Sequence, residues 1–166
     1  MAEYVRVAVD AMGGDNAPLE IVKGAVCAVN ANSQVRVLLL GDETAVRTEL
    51  ARYSYPEDRV EVIPTTEVIE MAEPPVNAIR TKRDSSIVRG MKMVHDGEAD
   101  AFVTAGSSGA TLVGGQIIVG RIKGIERPPL APLLPTAKGP VLLIDCGANV
   151  DARASQLVQF AQMGSI

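Results

Sequence analysis

Aromatic residues are scarce in this sequence: they make up 3%, with no tryptophan, three tyrosines and two phenylalanines. A core without large rings must be built from Val, Ile, Leu, Ala and Met, which suits a parallel sheet covered by helices on both faces. Histidine occurs once, as His95, at the end of an amphipathic helical pattern. A serine–histidine triad would have only that base to lean on, so triad chemistry is not expected. The two cysteines, Cys27 and Cys146, lie far apart and show no metal-ligand spacing. Both read as small core filler rather than as nucleophiles. No apolar run reaches the roughly 18 residues that a spanning helix needs. The first residues lack a basic region followed by an apolar one, so no secretory signal is expected and the chain reads as reduced and cytosolic. Positive charge is also in deficit. Sixteen Lys and Arg against twenty Asp and Glu leave a net charge of −4, which argues against nucleic acid as a partner. No G-x-G-x-x-G follows a strand, there is no Walker A sequence, and Gly106-Ser107-Ser108-Gly109 is not a G-x-S-x-G elbow.

What the sequence does contain is alternation of strand and helix. The 166 residues, 47% of them hydrophobic, suit a single domain with a substantial core. Tyr4 to Val9 predicts a first strand, and Pro18 fits the first turn of a helix striped by Val22, Val26 and Val29. Val35 to Leu40 is a second strand, closed by Gly41-Asp42 and followed by a helix from about Glu43 to Tyr53. Val60 to Ile63 is a third strand. Thr65 to Pro75 reads as an extended loop, and Pro75 opens a helix carrying Val76 and Ile79. Asp84-Ser85-Ser86 starts another helix, with Ile87, Val88, Met91 and Val94 on one face and Gly97 at its end. Ala101 to Val103 is a short buried strand. From Ala110 a helix follows with Leu112, Val113 and Ile117 on its apolar side, capped most simply by Ser108. Leu130 to Thr136, broken by Pro132 and Pro135, is at best a short or edge strand. Val141 to Ile144 reads as a clean buried strand, and a last helix begins near Ala154. The fold class expected is α/β: three layers around a mostly parallel sheet.

Several of these strands end on polar, glycine-bearing loops: Asp10 to Asn16, Thr104 to Gly109, and Asp145 to Asn149. In a parallel sheet the strand ends share one edge, where ligands bind in the crevice at a topological switch point. Convergence of the loops on one site is therefore expected. Gly106 and Gly109 let an anion approach the backbone, and helix-start N–H groups point into the turn. The anion-binding candidates are Gly13, Gly14, Asn16, Gly106, Ser107, Ser108 and Gly109. Such a site lacks an obvious nucleophile. It suits a reaction in which the bound anion itself attacks and the protein supplies orientation and oxyanion stabilisation. Asp10, Asp15, Asp145 and Asp151 could hold magnesium with a substrate phosphate, but no spacing among them is diagnostic, and neither a metal nor a cofactor is expected.

The motifs also carry a family resemblance. AVDAMGGDNAP, TTEVIEMAEPPVNAIRTKRDSSI, GEADAFVTAGSSGATL, GRIKGIERPPLAPLLPT, DCGANVD and QLVQFAQMGSI together resemble the bacterial phosphate acyltransferases, the PlsX family of phospholipid synthesis. Two positions depart mildly: Ser107-Ser108 stands where many members have Asn-Thr, and Cys146 often corresponds to Val. Members are about twice as long, so the resemblance implies that residues 1–166 are an α/β domain forming an N-terminal half. It implies a fold similar to isopropylmalate dehydrogenases and phosphotransacetylases. It also implies transfer of a fatty acyl group from acyl carrier protein to inorganic phosphate, giving an acyl phosphate, without a cofactor. The implied setting is a cytoplasmic homodimer in peripheral contact with the inner membrane face and with a membrane glycerol-phosphate acyltransferase. The catalytic candidates are Asp10, Lys82, Asp145 and Asn149. Two basic groups, Arg80, Lys82, Arg83, Arg89 and Lys92, and Arg121, Lys123 and Arg127, are candidates for docking the acidic carrier. The rival readings are a metal-dependent dehydrogenase of the same fold and a non-catalytic anion-binding module.

Overall fold

The computed structural model describes residues 4–166. The chain divides into two compact units, one running to Val119 and the other from Gly120 to Ile166.

In the first unit the strands are β1 (Val5–Asp10), β2 (Val35–Gly41), β3 (Val60–Pro64) and β4 (Ala101–Val103). They form one sheet in the order β3-β2-β1-β4, with every neighbouring pair parallel. Leu38 and Leu40 alternate with Val37 and Leu39, so β2 sends apolar side chains to both faces, and both need cover. On one face α1 (Leu19–Ala31) and α2 (Glu43–Leu50) pack Val22, Val26, Val29, Val46 and Leu50 against Val37 and Leu39. On the other, α4 (Ser86–His95) sets Met93 and Val94 against Ala8, Leu38 and Leu40. Beside α4 lie α3 (Pro75–Thr81) and α5 (Ser108–Gly114), joined through Ile69, Ile79, Ile87, Met91 and Ala110. The result is the three-layer α/β arrangement around a parallel sheet that the alternation predicts.

Three local expectations are corrected here. Cys27 is exposed, because the buried stripe of α1 passes through Ala25, Val26 and Val29 and leaves position 27 off it. Ala101 to Val103 is not the buried strand expected: Val103 is 54% exposed, because β4 is an end strand of the four-stranded sheet. Ile117 is exposed as well: α5 stops at Gly114 and continues as a π-helical turn, Gly115–Val119, which shifts the angular register of the apolar face.

The second unit holds an antiparallel hairpin, β5 (Leu133–Thr136) and β6 (Gly139–Leu142), and the helix α6 (Ala154–Gly164). Pro135 stands opposite Pro140, which a two-stranded ribbon tolerates because each strand has an open edge. Val141 to Ile144 is not the buried strand expected. Val141, Leu142 and Leu143 are exposed: among the described residues the hairpin has no third strand. Cys146 is likewise exposed, not core filler. Among the described residues no helix is long and apolar enough to cross a membrane.

Candidate functional site

The strand order fixes where a crevice can open. The chain lays β2 and then β3 to one side of β1, and then returns to place β4 on the other side. The connections after β1 and β4 therefore leave in opposite directions, which is the topological switch point of an open parallel sheet. Val9 pairs with Val103, so one step further Asp10 meets Thr104.

The contact there is specific. Thr104 Oγ1 donates to Asp10 Oδ2 at 2.7 Å. The backbone N–H of Met12 donates to Asp10 Oδ1 at 3.1 Å, and the N–H of Gly106 donates to Thr104 Oγ1 at 2.9 Å. Asp10 is 1% exposed. The turn after β1 closes directly onto the turn after β4: a Cβ on Gly13 would stand 2.4 Å from Asp10 Oδ2 and 2.7 Å from the Gly106 nitrogen. Only glycine fits that approach. Gly14, with φ +93°, takes the left-handed turn that follows.

Of the anion-binding candidates, Gly13, Gly14 and Gly106 thus come together, with the Gly106 N–H already committed to Thr104. Ser107 is buried and caps α5, its hydroxyl accepting from the Ala110 N–H at 3.2 Å. The cap therefore falls one residue earlier than expected, where the backbone is still extended. Ser108 keeps an exposed hydroxyl at the first helical position, and the first-turn N–H groups of Ser108 and Gly109 have no intrahelical acceptor. Asn16 is exposed. With Ala17, Leu19 and Glu20 it lines an open depression of about 430 Å³ at the start of α1.

The long loop between β3 and α3 forms a strap held by charge. Lys82 Nζ donates to the Val68 carbonyl at 2.6 Å and pairs with Glu73. Asp84 accepts from the Thr66 hydroxyl at 2.6 Å, from the Thr66 N–H at 3.0 Å and from Arg89 at 2.6 Å. The Asp84 N–H in turn donates to Glu67 at 2.9 Å. The Thr66 hydroxyl, with Arg89, holds the Asp84 carboxyl below the usual carboxylate range. Lys82, with the Glu70 N–H, does the same for Glu73. The strap ends against the site: a Cβ on Gly109 would stand 2.6 Å from Pro75 Cγ. Lys82 and Arg89 are therefore engaged inside the unit, while Arg80, Arg83 and Lys92 are exposed. His95 closes α4 beside the entry to β4, at the opposite edge of the sheet from the crevice, and is exposed.

In the second unit Asp145 organises its own loop. It accepts from the Leu130 N–H at 2.6 Å, the Asn149 N–H at 2.7 Å and Asn149 Nδ2 at 3.3 Å. Burial pushes its carboxyl up, but those donors outweigh it and hold it below its ordinary value. Asn149 also donates to the Pro128 carbonyl at 3.2 Å. Arg121 donates to the Glu126 carbonyl at 2.6 Å, and Lys123 and Arg127 are exposed. Among the described residues no three His, Cys, Asp or Glu side chains gather as a metal site.

Thr104 is the functional-site residue that sequence reasoning passed over. Its only signal was its level with Asp10, visible once β1 is paired with β4. Glu73 and Asp84 were missed in the same way, since the strap's pairing is set by tertiary packing.

Comparison with known proteins gives a consistent picture. A model of the family described as fatty acid synthesis protein matches residues 5–166. The chain is 48% identical over 162 residues to a phosphate acyltransferase of Clostridium beijerinckii, a span covering 98% of this chain and 49% of the relative. It is also 48% identical to a phosphate acyltransferase of Alkaliphilus oremlandii, covering 98% and 48%. The chain thus spans about half the length of the curated relatives it matches. Among solved structures, a phosphotransacetylase from Streptococcus pyogenes superposes with a TM-score of 0.67 over 95% of this chain and 51% of that one, at 17% identity. That is a likeness of fold.

Proposed function

The chain belongs to the fatty acid synthesis protein family, and from that premise we propose that it forms one wall of an acyltransferase that moves a fatty acyl group from acyl carrier protein to inorganic phosphate. The observation that carries this reading is the closed approach of the β1 and β4 turns at the switch point. Gly13 abuts Gly106 there over a buried Asp10–Thr104 contact. Such a place offers backbone amides and small hydroxyls, and no thiol or imidazole among the described residues of the first unit stands at that edge. Phosphate is itself a competent nucleophile, so what the reaction needs is orientation and charge stabilisation. Phosphate rests against the Gly13–Gly14 turn, the Ser108 hydroxyl and the N–H groups of Ser108 and Gly109. A phosphate oxygen attacks the thioester carbonyl, a tetrahedral oxyanion forms, and the carrier thiolate leaves. The product is an acyl phosphate.

Asp10 does not serve as the base in this scheme, because both of its oxygens are held by internal donors. Lys82 serves the strap. Asp145 and Asn149 hold the second unit's own loop, and no step is assigned to them. The acidic carrier docks through exposed cations, of which Arg80, Arg83, Lys92, Arg121, Lys123 and Arg127 are the candidates. A cytoplasmic homodimer in peripheral contact with the membrane and with a glycerol-phosphate acyltransferase completes the reading.

The test is to supply the protein, at the length of its relatives, with acyl carrier protein thioester and inorganic phosphate, and to trap acyl phosphate with hydroxylamine. Formation of hydroxamate that depends on phosphate supports the proposal. Thioester loss that ignores phosphate overturns it.

A further inference from the structure

Asp10 is a buried carboxylate with no basic side chain among its hydrogen-bond partners in the described residues. Its donors are the Met12 N–H and the Thr104 hydroxyl. Burying such a group costs several kcal/mol unless its donors are well placed, so its presence at the switch point calls for a use. An ionised carboxylate accepts only. Its Oδ2 accepts a hydrogen bond from the Thr104 hydroxyl at 2.7 Å, and the Thr104 lone pairs are left to face the Gly106 N–H, which reaches Thr104 Oγ1 at 2.9 Å. The direction of this relay is set by the carboxylate. Gly106 is in turn the surface against which Gly13 rests, with no room for a methyl group between them.

We propose that Asp10 is a positioning residue: through the Thr104 hydroxyl it orients Gly106, and through Gly106 and Gly13 it locks the two switch-point turns into one preformed anion cradle. Asp10 itself does not touch the substrate. The identity of the anion as phosphate rests on the acyltransferase reading; the relay does not.

Polarity gives the relay a signature that simple packing lacks. In Asp10→Asn an amide NH₂ replaces one acceptor. It either faces the Met12 N–H or donates to Thr104, and in the second case the hydroxyl proton turns toward the Gly106 N–H. Thr104→Val keeps the shape and removes both bonds. Thr104→Ser keeps the hydroxyl and restores both.

The experiment uses the whole chain and inorganic phosphate. Amide hydrogen exchange is followed at Gly13 and Gly106, and phosphate affinity is measured by calorimetry. Asp10→Asn and Thr104→Val are expected to speed exchange at Gly106 at least tenfold and to weaken phosphate at least tenfold. Thr104→Ser is expected to match the parent in both. In turnover at full relative length, KM for phosphate rises while KM for the carrier thioester holds. If Asp10→Asn does not fold, the near-isosteric Thr104→Val carries the same test. Parent-like exchange at Gly106 in Thr104→Val, or a Thr104→Ser as impaired as Thr104→Val, overturns the relay. At the length of its relatives, thioester loss that ignores phosphate brings down the acyltransferase reading, and the exchange pattern at Gly106 still decides the relay.

Discussion

A methyl group is too large for position 13. Its carbon would stand 2.4 Å from a carboxylate oxygen and 2.7 Å from a backbone nitrogen, neither of which can swing away. Gly13→Ala must therefore part the β1 and β4 turns, at a cost of about 1–3 kcal/mol by analogy with other overpacked sites. Gly106→Ala meets nothing closer than 3.1 Å and should cost less. Urea unfolding of both variants checks the order, and a Gly13→Ala as stable as Gly106→Ala would show that the turns are not in contact. The glycines themselves were legible in the sequence, because Met12-Gly13-Gly14-Asp15 and Ala105-Gly106-Ser107-Ser108-Gly109 can only be turns. Which amide was taken was not legible. The acceptor chain that engages Gly106 begins at Asp10, 94 positions before Thr104, and local sequence carries no record of such a pairing.

Two elements frame the cradle, and each makes a prediction. The cap of α5 is Ser107, with Ser108 outside that role. Ser107→Ala should cost about 1 kcal/mol of stability, while Ser108→Ala should leave stability alone and weaken phosphate. A lower unfolding midpoint in Ser108→Ala than in Ser107→Ala would return the cap to Ser108. The strap is the second element. Asp84 is held below its usual range by the Thr66 hydroxyl and Arg89, and Glu73 by Lys82 and the Glu70 N–H. A carboxyl depressed in the folded state adds stability above its unfolded value, near 4, and loses it as pH falls through the folded value. The strap contacts should accordingly be intact at neutral pH and loosen only below about pH 4, read as faster exchange of the Thr66 and Glu70 amides. Asp84→Asn should remove the acid sensitivity at Thr66. Exchange at Thr66 that does not change between pH 6 and pH 3 would deny the carboxylate its part. The helices were readable from their apolar stripes, and Asp84-Ser85-Ser86 marked the start of α4, where Ser85 is the cap. The strap looked like an extended loop because its order comes from an ion pair between residues nine positions apart and a hydroxyl–carboxylate hydrogen bond between residues eighteen apart, which no periodicity reports.

The whole molecule divides unevenly in how it protects its apolar surface. The first unit buries Val22, Val29, Leu39, Leu40 and Ile87 almost completely. In the second, Phe160 is the one large apolar side chain fully buried among the described residues, while Leu133 is 69% exposed, Val141 51%, Leu157 55% and Val158 58%. The β5–β6 ribbon adds an unpaired edge on each strand, which is a template for pairing with another chain. Reading Val141 to Ile144 as a core strand followed from its composition, and composition cannot say which layer covers a strand. Apolar surface left open on this scale drives association. We therefore expect the 166-residue chain to self-associate at micromolar concentration through its second unit. Leu133→Lys with Val141→Lys should return it toward monomer, since charges on ribbon positions oppose edge pairing. Catalysis needs both reactants within near-attack distance, and the chain spans about half the length of its relatives. It should bind phosphate weakly and transfer little or no acyl group. Size-exclusion chromatography across a hundredfold concentration range, run beside the hydroxamate assay, reads both. A chain that stays monomeric throughout and turns over at the rate of its full-length form would show that the open apolar surface needs no partner and that these residues hold the complete site.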